Sequence, residues 1–78
     1  MLEHKKLRVA VIGCGMIHVE HMQGYAELKD KVEIVAAVDR KSECLKEMHD
    51  RWGLPETALF ADWKTMLAKV RPDAVDLC

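Results

Sequence analysis

An α/β protein with a doubly wound parallel sheet is what this sequence predicts, on three observations. Four short apolar runs alternate with segments of helical period, in the order β-α-β-α-β-α-β. The connections between them are short, as they are when strand and helix alternate along a parallel sheet. The first apolar run also ends abruptly in a glycine turn, Gly13-Cys14-Gly15, which opens a helical pattern.

Each element has its own signal. Leu7-Arg8-Val9-Ala10-Val11-Ile12 is almost unbroken in apolar, largely β-branched residues and reads as a strand buried on both faces. From residue 16 to 29 the period turns helical, with Ile17, His21, Gly24 and Leu28 on the expected inner face. Asp30-Lys31 is a polar turn into a second strand over 32–38, broken only by Glu33 and ended by Asp39. Ser42 is the expected cap of a second helix that packs through Leu45, Met48 and Trp52. Gly53 stops that helix in a left-handed conformation, and Pro55 prevents it from resuming. A short third strand occupies 58–60. Asp62 then caps a third helix with Trp63, Met66, Leu67 and Val70 inward, and Arg71-Pro72-Asp73 turns into a fourth strand over 74–78. Right-handed crossovers give the strand order 3-2-1-4.

Composition narrows the function classes. With 50% hydrophobic and 32% charged residues, the 78-residue chain is globular rather than a disordered tail. A chain of this size buries roughly 60–65% of its unfolded surface, so its stability is marginal. Twelve Lys and Arg against 13 Asp and Glu leave a net charge of −1, without the basic excess that nucleic-acid binders usually gather on one face. The run to Ile12 is too short to span a bilayer, and no secretory signal precedes it. Three cysteines (Cys14, Cys44, Cys78) cannot all pair with one another and form no Cys-x-x-Cys, which suits a reduced, cytoplasmic protein. His18 and His21 flank Glu20 with no third ligand in place, so no metal site is expected.

The residues that bear on chemistry stand at two strand ends. In Gly13-Cys14-Gly15-Met16-Ile17-His18 the first glycine permits a tight turn, and the second lets a pyrophosphate approach the backbone. Amides at the following helix N-terminus, with the helix dipole behind them, hold such an anion. A Gly-x-Gly pair alone is a weak signal; between a buried strand and a helix it is the context a dinucleotide fold requires. Asp39 closes the second strand, where a carboxylate accepts hydrogen bonds from the adenine ribose hydroxyls. It would also repel a 2′-phosphate, which favours NAD over NADP, while Arg40 beside it keeps NADP as a second option. The blander roles are that Asp39 merely helps to start the second helix and that Arg40 is a solvated charge. His18 departs from the Gly or Ala usual at the third fingerprint position, where the helix packs on the strand.

The opening Leu7-Arg8-Val9-Ala10-Val11-Ile12-Gly13-Cys14-Gly15, with Ile17 and His21, resembles that of the glucose–fructose oxidoreductase/inositol dehydrogenase (Gfo/Idh/MocA) family. Val35-Ala36-Ala37-Val38-Asp39-Arg40, Phe60-Ala61-Asp62-Trp63, Met66-Leu67 and Asp73-Ala74-Val75-Asp76-Leu77 extend the likeness, in order, over essentially the whole chain. The resemblance implies a partial Rossmann-like sheet that binds NAD, with Gly13, Cys14, Gly15, Met16 and Ile17 around the pyrophosphate. Asp39 and Arg40 would serve the adenosine half. His21 matches a histidine common in the family's first helix, with a packing or a functional role. Family members are several times longer, and carry a Glu-Lys-Pro lysine and a second domain for a sugar or polyol substrate. Pro55 and Pro72 follow Leu54 and Arg71, so no catalytic residue is carried over. The resemblance therefore implies the N-terminal part of a dinucleotide-binding domain, which alone would bind and not catalyse.

Two other readings stand beside it. An S-adenosylmethionine-dependent methyltransferase shares the glycine turn, but commonly has an acidic residue where this chain has Val11. A non-catalytic nucleotide-binding module fits the want of any nameable catalytic group. If the chain ends at Cys78, the fourth strand is a bare apolar edge, and the isolated chain is expected to be poorly stable or to self-associate through it.

Overall fold

The computed structural model describes residues 6–13 and 18–77, the side chain of His18 excepted. Strand β1 (Leu7–Ile12) leads to helix α1 (His18–Glu27), β2 (Val32–Val38) and α2 (Ser42–Trp52). A 3₁₀ turn (Glu56–Ala58) then runs into β3 (Leu59–Phe60), α3 (Trp63–Val70) and β4 (Ala74–Leu77). The four strands form one parallel sheet in the order β3-β2-β1-β4. Element order and strand order are those the sequence predicts.

Helices cover both faces. On one side Val11 and Ala37 meet Met22 of α1 and Met48 of α2, with Leu54 closing the cluster. On the other, Ala10, Ala36 and Val38 receive Met66 of α3, flanked by Phe60, Leu67 and Val70. Met48 and Met66 are fully buried. Each contributes about 1.5–3 kcal/mol relative to exposure.

A bulge in β2 makes this division possible. Val9 pairs with Ile34 but Ala10 pairs with Ala36, so Val35 is an extra residue on β2. Side chains two apart on a regular strand share a face. Here Ile34 packs on the α1/α2 side and Ala36 on the α3 side, because the inserted residue inverts the alternation.

The helix ends follow local rules with one exception. Gly53 stops α2 at φ 75°, its N–H donating to the His49 carbonyl. The Asp62 carboxylate caps α3 by accepting the Thr65 amide at 2.9 Å and the Thr65 hydroxyl at 2.8 Å. Arg71 ends α3 in the left-handed region at φ 51°, and Pro72 follows. Ser42 is not the cap of α2: it is the first helical residue, Lys41 holds the cap position, and no side chain caps from there. The carboxylate at this end is that of Asp39, whose Oδ1 accepts the Lys41 amide at 2.8 Å.

Two expected inner faces differ in part. In α1 the face turned to the sheet carries His21, Met22 and Tyr25, while Gly24 is exposed and Leu28 lies beyond the helix end, 47% exposed. His21 and Tyr25 on this face both hydrogen-bond to Asp76 of β4. Trp63 is 48% exposed at the first turn of α3, with the Lys64 ammonium over its ring. Met66, Leu67 and Val70 face the sheet as expected.

Candidate functional site

In an open parallel sheet, ligands gather outside the carboxyl ends of the strands, where the strand order reverses. In the order β3-β2-β1-β4 that point lies at β1, since the chain leaves it toward β2 on one side and returns on the other as β4. Gly13, Asp39 and Asp76 all stand at this end.

Gly13 follows the last residue of β1. Its φ is 86°, where a side chain would be strained, and its N–H donates to the Val38 carbonyl at 2.8 Å. The chain thus leaves β1 in a conformation suited to glycine while still fastened to β2. Cys14, Gly15, Met16 and Ile17 lie outside the described residues. Helix α1, described from His18 onward, has its N-terminal end on this side, and its dipole places the equivalent of about half a positive charge there. Such a terminus suits an anion.

Asp39 occupies the matching place on β2. Because Ile12 pairs with Val38, Gly13 and Asp39 each follow one member of the last pair of the β1–β2 ladder. Neighbouring strands lie about 4.8 Å apart, so the two positions are adjacent on the sheet edge. The Asp39 amide donates to the Phe60 carbonyl at 3.1 Å, which fixes this end of β2 against β3. Its side chain is half-buried, and Arg40 beside it is exposed. The carboxylate therefore has a structural duty at α2 as well as a place at the strand end.

Asp76 was not singled out as a site residue by the sequence reasoning. It sits on β4 opposite Val11, on the face that α1 covers. Its Oδ2 accepts from His21 Nδ1 at 2.6 Å and from the Tyr25 hydroxyl at 2.7 Å. Burial pushes the Asp76 carboxyl up. The two hydrogen bonds and the charge that His21 can carry outweigh it and hold the group below the ordinary carboxylate value. The available signal was an acidic residue between Val75 and Leu77 in an otherwise apolar strand, with His21 and Tyr25 one turn apart on a helix.

Among the described residues no group of three or more His, Cys, Asp or Glu is arranged to hold a metal ion. No helix there is long and apolar enough to cross a membrane. A turn that admits glycine, a helix N-terminus after it and a carboxylate on the adjacent strand end suit a ligand with a central pyrophosphate and a diol-bearing ribose.

The comparisons with known proteins agree. D-glucoside 3-dehydrogenase of Escherichia coli (strain K12) is 29% identical over 72 residues, 92% of this chain and 20% of its own. Among solved structures, the WlbA dehydrogenase from Bordetella pertussis, in complex with NADH and UDP-GlcNAcA, superposes with a TM-score of 0.86. It is 30% identical, over 95% of this chain and 22% of its own. An oxidoreductase from Agrobacterium radiobacter, in complex with NAD+, L-tartaric acid and magnesium, gives a TM-score of 0.85 at 30% identity. There the match covers 95% of this chain and 21% of that one. The chain thus spans about one fifth of the length of these relatives. A family model, described as the oxidoreductase family with an NAD-binding Rossmann fold, matches residues 7–78. The chain belongs to the Gfo/Idh/MocA oxidoreductase family, of which it carries the NAD-binding Rossmann part.

Proposed function

We propose that these residues hold the adenosine and pyrophosphate half of NAD, as the N-terminal part of the dinucleotide domain of a dehydrogenase acting on a sugar- or polyol-type hydroxyl. The observation that carries this reading is the left-handed Gly13 at the end of β1 beside Asp39 at the end of β2. Gly13, Cys14, Gly15, Met16 and Ile17 are assigned to the pyrophosphate. Asp39 is assigned to the adenine ribose hydroxyls, with Arg40 alongside. A negative charge at Asp39 disfavours a 2′-phosphate, so NAD is preferred to NADP. When bound, the nicotinamide exchanges a hydride with a carbon that bears a hydroxyl. The residues assigned here bind and orient the cofactor. Hydride transfer calls on parts of the relatives' length that these residues do not span. The substrate class is supported by the glucoside and UDP-sugar acids in the names of similar proteins.

The test is a calorimetric titration with NADH and NADPH, with S-adenosylmethionine as the control ligand. Asp39→Ala removes both the ribose acceptor and the contact to the Lys41 amide. Asp39→Asn keeps an oxygen for that amide but not the charge. NADH affinity is expected to fall about tenfold or more in both variants, the scale of a lost charge-assisted hydrogen bond. NADPH is expected to lose less, or to gain, in the Asn variant. Unchanged NADH affinity in both would overturn the assignment of Asp39.

Two further assignments belong to the same reading. A cytoplasmic location is supported by Cys44, a free thiol. Self-association of the 78-residue chain is supported by the outer edge of β4, which pairs with no described strand, and by Leu77, 73% exposed there.

A further inference from the structure

Helix α1 is fastened to the sheet partly by apolar packing and partly by polar contacts. Of its described side chains only Met22 is fully in the core, with Tyr25 packed at the margin. The other fastening is polar, through one oxygen of one carboxylate. Asp76 Oδ2 takes the His21 ring N–H and the Tyr25 hydroxyl together, two donors a helical turn apart. The Asp76 side chain is 18% exposed, and every buried side-chain polar atom among the described residues has a partner. A carboxylate so placed is costly unless its hydrogen bonds are made, and an apolar residue would satisfy the packing of β4 as well. The place of this contact matters. Asp76 is one residue from the end of β4, opposite Val11 of β1, beside the point where the strand order reverses. His21 is less than one turn from His18, where α1 opens.

We infer that Asp76, through His21 and Tyr25, is a positioning residue for NAD: it sets the rotation and depth of α1 and so the place of the helix N-terminus against the pyrophosphate. The inference rests on the dinucleotide reading above. The rotation of α1 supports it, since His21, Met22 and Tyr25 face the sheet while Gly24, on the stripe the sequence pattern favours, does not. Two donors on one acceptor atom fix the helix about its axis. A single apolar knob such as Met22 permits sliding and rolling.

The experiment compares NADH with adenosine, which lacks the pyrophosphate and addresses the Asp39 end alone. Both are titrated into the wild-type chain and into the Asp76→Ala, Asp76→Asn and Tyr25→Phe variants. Asp76→Ala is expected to weaken NADH about tenfold, the scale of one charge-assisted hydrogen bond, and to leave adenosine within about twofold. Asp76→Asn is expected to recover most of the loss, because one amide oxygen can accept both donors. Tyr25→Phe keeps the His21 contact and is expected to fall between the two Asp76 variants. NADH affinity unchanged in both Asp76→Ala and Tyr25→Phe overturns the inference. So does a loss shared equally by NADH and adenosine that Asp76→Asn does not recover, since that is a general effect on the fold. Failure of the wild-type chain to bind NADH overturns the dinucleotide reading itself, and is thereby distinguished from both.

Discussion

Arg71 holds a backbone conformation that its side chain disfavours. At φ 51° it ends α3 by donating its N–H to the Leu67 carbonyl, where glycine is the usual occupant. The surroundings enforce this. Arg8 sends one guanidinium nitrogen to the Arg71 carbonyl and another to that of Val70, each at 2.8 Å. The Arg8 amide donates to the Asp73 carboxylate at 2.9 Å, and the Asp73 amide donates back to the Arg8 carbonyl. A cation thus lies at the negative end of α3. Arg71→Gly keeps every one of these backbone contacts. The left-handed conformation costs a non-glycine residue roughly 1–2 kcal/mol, and glycine's extra freedom when unfolded returns part of that. The variant is therefore expected to be more stable by about 0.5–1 kcal/mol, read as a melting temperature a few degrees higher. An unchanged or lower melting temperature would mean that the Arg71 side chain contributes more than its backbone strain costs.

At the scale of the element, α3 depends on its first turn. Its N-terminus is closed by Asp62, whose carboxyl is held low first by the Thr65 amide and then by the Thr65 hydroxyl. The sign follows from linkage. A carboxyl lowered in the folded state stabilises that state above its unfolded value, near pH 4, and the contribution is lost as pH falls through the lower folded value. Asp76 works in the same direction on α1. Asp62→Ala is expected to lower the melting temperature at neutral pH, and the gap from the wild type is expected to shrink as pH drops below about 4. A gap that stays constant down to pH 2 would show that the charged cap contributes nothing. The same element carries Met66 into the far face of the sheet, so an unfastened first turn also weakens the packing beneath β1 and β2.

At the scale of the whole described sheet, the β4 margin leaves apolar side chains exposed. Val75 pairs with Ala10 and Leu77 with Ile12, which puts both on the α3 side, beyond the reach of α3 itself. Both are exposed. A parallel edge with bare apolar side chains is a template for pairing. The 78-residue chain is expected to sediment as a concentration-dependent mixture, and Leu77→Lys to shift it toward monomer. A monomer at all concentrations in the wild type would overturn the proposed edge association.

The sequence by itself determined the order of the elements, the strand order 3-2-1-4, the left-handed stop at Gly53, the cap at Asp62 and the two strand ends where Gly13 and Asp39 stand. These are matters of short range: each rests on residues a few positions apart, or on the handedness that a parallel crossover must obey. Two features were decided only by the tertiary structure. The extra residue at Val35 is invisible in an apolar run, because either register leaves such a run buried, and only pairing with β1 reveals it. Asp76 gained its role because β4 returns beside β1, which brings it to His21 and Tyr25, 55 and 51 residues earlier in the chain. Local pattern ranks a lone acid in a strand as a blemish; the fold supplies the two donors that make it the fastening of a helix.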